Sequence, residues 1–201
     1  MEFHDVVRRR RMVRRFAQRP IEPEVLRRVL EAARHAPSAG FSQGFEFVVL
    51  TEPGELEWFE QTTDDPNDPE PFPGRVSGVG PAVIVLPFAN KAAYLERYSQ
   101  PDKIEFGMDK EENWPVPFWT IDTGMAILLI LLAAVDQGLG AWYFGITRGE
   151  DELLRKLQVP AGSELMGVVA LGYPALDDKP RGSVFARRRR RFEDMFHFGK
   201  W

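Results

Sequence analysis

The run Gly-Met-Ala-Ile-Leu-Leu-Ile-Leu-Leu-Ala-Ala-Val at 124–135 limits the fold more than any other stretch. Its twelve residues are too few for a bilayer, which needs about 20, and Asp122 and Asp136 stand on either side of it. The run therefore reads as the centre of one buried helix over 118–137, closed by Gly138. Such a helix is apolar nearly all round and must be covered on most sides. The 201 residues fit one domain, 1–201. A single domain of this size covers that helix only with difficulty, and a second copy across a dimer interface is the easier cover.

The rest of the chain mixes helices and strands. Short helices are expected over 2–9, 54–61, 90–98 and 149–157, and a longer one over 21–38, started by Pro23 and stopped by Pro37. Strands are expected over 45–51, 81–88 and 140–146, with a fourth inside 163–174. The proline-rich acidic stretch 64–74 reads as an exposed loop, and 99–117 as irregular. The last 27 residues read as a polar tail with an aromatic end, Met-Phe-His-Phe-Gly-Lys-Trp. The elements do not alternate strictly, which favours an α+β layer fold over a doubly wound one.

Composition narrows the chemistry. With 44% hydrophobic and 12% aromatic residues the chain can build a core. It has no cysteine, which excludes disulfides and thiolate chemistry and is compatible with a cytoplasmic location. His4, His35 and His197 lie far apart without zinc spacing, so no metal site is expected. The N-terminus lacks the apolar core of a signal peptide, and no membrane association is expected.

Two arginine runs stand out in a chain of net charge −4: Val-Arg-Arg-Arg-Arg-Met-Val-Arg-Arg-Phe at 7–16 and Ala-Arg-Arg-Arg-Arg-Arg-Phe at 186–192. They are open to three readings. They are solvated charge; or a nucleic-acid footprint; or one anion site assembled from both ends of the chain. Arginine suits the last because its planar fork makes bidentate contacts to phosphate. The acidic net charge and the lack of interleaved aromatics argue against a nucleic-acid partner. The stretch Ala-Pro-Ser-Ala-Gly-Phe-Ser-Gln at 36–43 is either a plain helix-to-strand turn or a loop of small residues that a flat ligand can approach, with Ser38, Ser42 and Gln43 as hydrogen-bonding groups.

Taken in order, the arginine motif, the helix, Ala-Pro-Ser-Ala-Gly-Phe-Ser-Gln, the segment from Phe118 to Gly145, Leu-Gly-Tyr-Pro at 171–174 and the arginine-rich tail resemble the FMN-dependent nitroreductase family. The resemblance covers nearly the whole chain. It implies a mixed, mainly antiparallel central sheet wrapped by helices, and an intertwined homodimer with FMN at the interface and the long apolar helix as the main dimer helix.

The family's Arg-Arg-Ser-x-Arg motif falls on residues 10–14. By resemblance Arg10, Arg11 and Arg14 contact FMN, and Met12 replaces the usual serine, leaving backbone contacts there. Ser38, Ala39 and Gln43 match a loop that packs on the flavin from the partner subunit. The segment Trp-Tyr-Phe-Gly at 142–145 matches the one along the flavin ring, with a backbone amide near Phe144 or Gly145. In the tail, Arg189 matches a phosphate ligand, with Arg188 and Arg190 as alternatives in a run of ambiguous register. Phe41, Tyr94, Tyr98, Trp114 and Phe118 are candidates for the wall of a substrate pocket, with ordinary core packing as the other reading of each. The family usually has Asn in place of Phe41, and Pro-Trp in place of Gly44-Phe45.

The implied activity is a ping-pong oxidoreductase. NADH or NADPH reduces bound FMN, which then reduces a nitroaromatic, a quinone or another small flat acceptor. No catalytic side chain is implied, since protons can come from water. One alternative keeps the fold without reductase turnover: a flavin or deazaflavin carrier or sensor, or a flavin-consuming enzyme. Another class of reading, a basic-ended nucleic-acid binder, predicts salt-sensitive retention of DNA or RNA.

Overall fold

The structure is a computed structural model that describes residues 1–64, 80–179 and 187–201. The expected acidic loop 64–74 lies outside the described residues beyond Asp64. Six helices are described: α1 (Phe3–Arg9), α2 (Pro23–Ala33), α3 (Pro53–Thr63), α4 (Lys91–Tyr98), α5 (Phe118–Asp136) and α6 (Glu150–Lys156). Five strands form one sheet: β1 (Phe45–Leu50), β2 (Val83–Asn90), β3 (Gly140–Phe144), β4 (Ser163–Leu165) and β5 (Val168–Gly172). The order is β1-β2-β5-β3, with β4 also paired to β2, and each strand pairing is antiparallel. The fold is α+β, as expected.

Strand β2 is central and buried from Val83 to Ala89. Its side chains alternate between two cores, as a pleated strand requires. Val83 and Val85 face the layer of α2 and α5, with Val29, Ala33, Ile127 and Ile130. Ile84, Leu86 and Phe88 face the layer of α3 and α6, with Phe59 and Leu153. A proline in a central strand removes a ladder donor, yet Pro87 occupies β2. It does so where β2 changes partners: Val83–Val85 pair with β5 and Phe88–Asn90 with β4. The Pro87 carbonyl still accepts from Met166 N–H at 2.9 Å in that gap. This change of partner also explains why the single strand expected within 163–174 is two short ones.

Helix α2 stops at Ala33 instead of running to 38, because the residue before Pro37 is driven out of the helical region. Helix α3 begins where the Glu55 carboxylate accepts from the N–H groups of Thr51 and Glu52, which satisfies donors exposed at a helix start.

Helix α5 is long and apolar enough to cross a membrane by length and composition, but one face lies on the sheet. Ala126, Ile127, Ile130, Leu131 and Ala134 are buried there. The opposite face exposes Ile121, Met125 and Leu128 at helical spacing, Leu128 at 48%.

Candidate active site

The N-terminal arginine segment is held against β3, an edge of the sheet. Met12 bridges in parallel to Ala141, and Val13 N–H donates to the Ala141 carbonyl at 2.9 Å. Phe16 bridges to Pro174, and Ala17 N–H donates to Tyr173. The local cause lies in the sequence: Val13 and Phe16 are apolar and sink into the core, leaving the arginines at the rim. Gly140 and Gly172, paired across β3 and β5, admit them. A Cβ at Gly140 would lie 2.7 Å from Val13, and one at Gly172 2.8 Å from the Phe16 ring.

Asp178 organises this segment. Its buried carboxylate accepts from the Arg14 N–H at 3.2 Å, the Arg15 N–H at 3.0 Å and the Arg11 guanidinium. Asp177 pairs with Arg15 at 2.8 Å. Arg11, expected to face a ligand, is thus matched by a carboxylate of its own chain. Arg10 ends α1, half-buried, with its N–H on Val6 O. Arg14 places its guanidinium over the Trp142 ring, 5.4 Å from the centroid, and Trp142 stacks on Phe144 at 4.3 Å. Trp142 is at the same time buried core. The Met12 sulfur accepts from Tyr143 N–H at 3.4 Å. Beyond Phe144 the backbone opens: Gly145 is exposed, with free space where a side chain would stand.

The loop Ser38–Gln43 forms a second group, leading into β1. Gly40, Phe41 and Gln43 all have left-handed backbone, at φ 60°, 55° and 51°. The Ser38 hydroxyl accepts from Gln43 N–H at 2.9 Å, and the Ser42 hydroxyl donates to Ala39 O at 2.6 Å. Phe41 points outward, 72% exposed. Two neighbours grip the loop. Ala39 N–H donates to Asp122 on α5 at 2.9 Å, and Arg97 on α4 donates to Gly40 O at 3.0 Å. Arg97 also makes a two-pronged pair with Asp102 and holds that carboxyl down to about 2.

The expected pocket wall divides. Phe41 is exposed, and Tyr98 and Phe118 are half-buried. Tyr94 and Trp114 are not on the surface: they form a buried cluster with Trp119 beneath the loop. Tyr94 donates to Asp122 at 2.8 Å, and burial, reinforced by that bond, pushes its hydroxyl far above the ordinary tyrosine range. Trp114 donates to Met108 O. Full burial of Tyr94 places it under the site as support. The tail arginines Arg188, Arg189 and Arg190 are exposed, and the contacts of this run lie within the tail, from Arg190 and Arg191 to Asp194. Sequence reasoning missed Asp178 and Arg97, and took Asp122 only as the edge of the apolar run 124–135. One carboxylate inside an apolar helix is a buried-charge signal that points to Asp122; Asp178 carries no comparable local signal.

The model of the family described as the nitroreductase family matches residues 7–173. The chain belongs to the nitroreductase family. As a member it is an oxidoreductase. An Archaeoglobus fulgidus relative named NADH dehydrogenase/NAD(P)H nitroreductase is 28% identical over 96% of this chain and 94% of its own. A solved nitroreductase structure from Bacillus subtilis superposes with a TM-score of 0.76 at 19% identity, covering 98% of both chains. A nitroreductase from Desulfovibrio desulfuricans, solved in complex with FMN, gives 0.63 at 24% identity over 96% of this chain and 98% of its own. At these identities the two structures speak for the nitroreductase fold. The family match starts inside the arginine segment and ends at Tyr173, so Asp178 and the tail arginines lie beyond it.

Proposed function

We propose that the chain is a cytoplasmic, homodimeric FMN-dependent oxidoreductase, in which NADH or NADPH and a small flat acceptor use one face in turn. The observation that carries this is the charge imbalance on β3. Residues 8–15 hold six arginines, and within this segment Met12 meets the Tyr143 N–H and Arg14 lies over Trp142, next to the open backbone at Phe144–Gly145, while Asp178 and Asp177 pair with Arg11 and Arg15. That donor set fits a phosphate-bearing, flat ligand. FMN supplies the redox chemistry when bound.

The chain's own residues then bind and orient. Arg10 and Arg14 would hold the phosphate end, with Arg11 tied to Asp178 as a brace. The backbone at Met12, Phe144 and Gly145 would line the ring, and a tail arginine among Arg188, Arg189 and Arg190 would add charge. Ser38, Ala39 and Gln43 would approach from a second copy, with Phe41, Tyr98 and Phe118 towards the acceptor. Two features support the second copy. The loop feeds β1 while the arginine segment lines β3, the opposite edge of the path, about 14 Å away at three strand spacings. The exposed stripe Ile121, Met125 and Leu128 on α5 also lacks a cover within the described chain, and apolar stripes of this kind mark interfaces.

The test is the absorbance spectrum of the purified protein. It should be yellow, release FMN on denaturation, bleach with NADH or NADPH and recover colour with a quinone. A protein that stays colourless after FMN is added overturns the reading. Bound flavin without turnover would favour a carrier or flavin-consuming role, to which the loss of the serine hydroxyl at Met12 lends some weight.

A further inference from the structure

The loop Ser38–Gln43 holds a conformation that its residues do not prefer. Phe41 and Gln43 carry side chains yet sit in the left-handed region, where a Cβ crowds the backbone. Backbone of this kind persists only where the surroundings over-determine it. Several of the constraints are internal: Phe41 N–H on Ser38 O at 2.9 Å, Gln43 N–H on the Ser38 hydroxyl, and Ser42 on Ala39 O. Two come from outside, Asp122 on Ala39 N–H and Arg97 on Gly40 O. Arg97 lies at the rim, and its partner Asp102 is largely exposed. Asp122 is 3% exposed, on α5, whose buried face packs on the sheet.

A buried carboxylate in an apolar helix is costly unless hydrogen bonds satisfy it. Asp122 directs one oxygen, Oδ2, at two donors, Ala39 N–H at 2.9 Å and Tyr94 O–H at 2.8 Å. Tyr94 is packed edge-on against Trp114 and Trp119, so its hydroxyl has a fixed position. From below, the Tyr98 ring closes on Gly40, where a Cβ would stand 2.7 Å away. The loop is therefore clamped at Ala39 and Gly40, and the next residue is Phe41, turned out into solvent. A shift at Ala39 would swing the Phe41 ring away from wherever it meets a ligand.

We propose that Asp122 is the positioning residue of the acceptor site: through Ala39 N–H it holds the left-handed turn that presents Phe41 to a flat aromatic or quinone acceptor. This rests on the oxidoreductase reading above. The loop itself, however, can be observed without any turnover.

The experiment uses the full-length protein with FMN, as wild type and as Asp122→Ala, Asp122→Asn, Phe41→Ala and Ala39→Pro. Chymotryptic cleavage after Phe41 reports the loop, and the KM and kcat for 1,4-benzoquinone report the acceptor site. Asp122→Ala, assayed with FMN at saturation, should speed cleavage and raise KM by about tenfold each, with kcat within about threefold. Asp122→Asn, whose side-chain oxygen still accepts both bonds, should return both readouts to within about threefold of wild type. Phe41→Ala should raise KM alike, and the double variant with Asp122→Ala should be no worse than either alone, as coupled residues behave. Ala39→Pro removes the donor from the loop side, leaves the core intact and should reproduce the effect on KM if Asp122→Ala does not fold. Unchanged KM in Asp122→Ala or Ala39→Pro overturns the proposal, even where cleavage accelerates. Additive effects with Phe41→Ala also overturn it. If the wild type shows no turnover, the oxidoreductase reading fails; cleavage then tests the clamp alone, and no difference between wild type and Asp122→Ala refutes it.

Discussion

The Arg14 guanidinium lies over the ring of Trp142, 5.4 Å from its centroid, and joins the arginine segment to the edge strand that ends at the candidate flavin site. An aromatic face attracts a cation in this position. The contact keeps the Arg14 side chain beside β3, between the buried Val13 and Arg15, which pairs with Asp177.

Arg14→Ala should therefore weaken FMN binding by about 10- to 100-fold, the worth of one charge-assisted hydrogen bond of about 1.5–3 kcal/mol. Arg14→Lys should recover only part of it, because an ammonium lacks the planar fork. Titration of apoprotein with FMN by flavin fluorescence measures both, and an unchanged affinity would place Arg14 outside the site.

Asp178 receives two backbone N–H groups and one guanidinium. Asp178→Ala leaves these donors without their buried partner and should lower stability by about 2–3 kcal/mol. Urea denaturation followed by far-UV circular dichroism gives the value. A loss below about 0.5 kcal/mol, typical of surface positions, would show that the carboxylate does not organise the segment.

The two faces of α5 predict opposite outcomes. Ile130 is fully buried, so Ile130→Ala should cost about 2–5 kcal/mol through lost burial and a cavity. Met125 is on the exposed stripe. Met125→Asp should leave the protomer folded but shift sedimentation from dimer to monomer and release FMN. A Met125→Asp protein that remains dimeric would assign the interface to another surface.

The Arg97 guanidinium, chiefly by hydrogen bonding, holds the Asp102 carboxyl at about 2 against an ordinary 3.8. A depressed carboxyl favours the folded state above its unfolded value and loses that contribution as pH falls through the folded one. Wild type should thus melt slightly above Asp102→Asn at neutral pH, by a small margin because the pair is exposed. The gap should close between pH 3.8 and about 2. Melting curves across that range test it, and a gap that widens on acidification contradicts the pairing.

Much of the fold was legible in the sequence. The unbroken apolar run 81–88 falls on the doubly buried β2, and the run 124–135 lies within α5, because burial leaves its mark on every residue of an element. Pro23 and Pro37 bracketed α2 through backbone sterics alone. The site was legible only in outline. Resemblance pointed to Arg10–Arg14, Ser38–Gln43 and Phe144–Gly145, but it did not separate Tyr94, which supports the loop from within, from Tyr98, which borders it. The two tyrosines are one helical turn apart, and which of them is covered depends on what packs against α4.

Local pattern by itself thus determined the helices and most of the strands. These follow from side-chain polarity and from the helix and strand periods, which act between near neighbours. The tertiary structure alone decided what the charged groups face: Asp122 meets Ala39 83 residues away, and Asp178 meets Arg11 167 residues away. No periodicity spans such distances. The pairs exist because the sheet order β1-β2-β5-β3 and the packing of α5 bring those segments together, and a buried carboxylate then takes the donors that the fold presents to it.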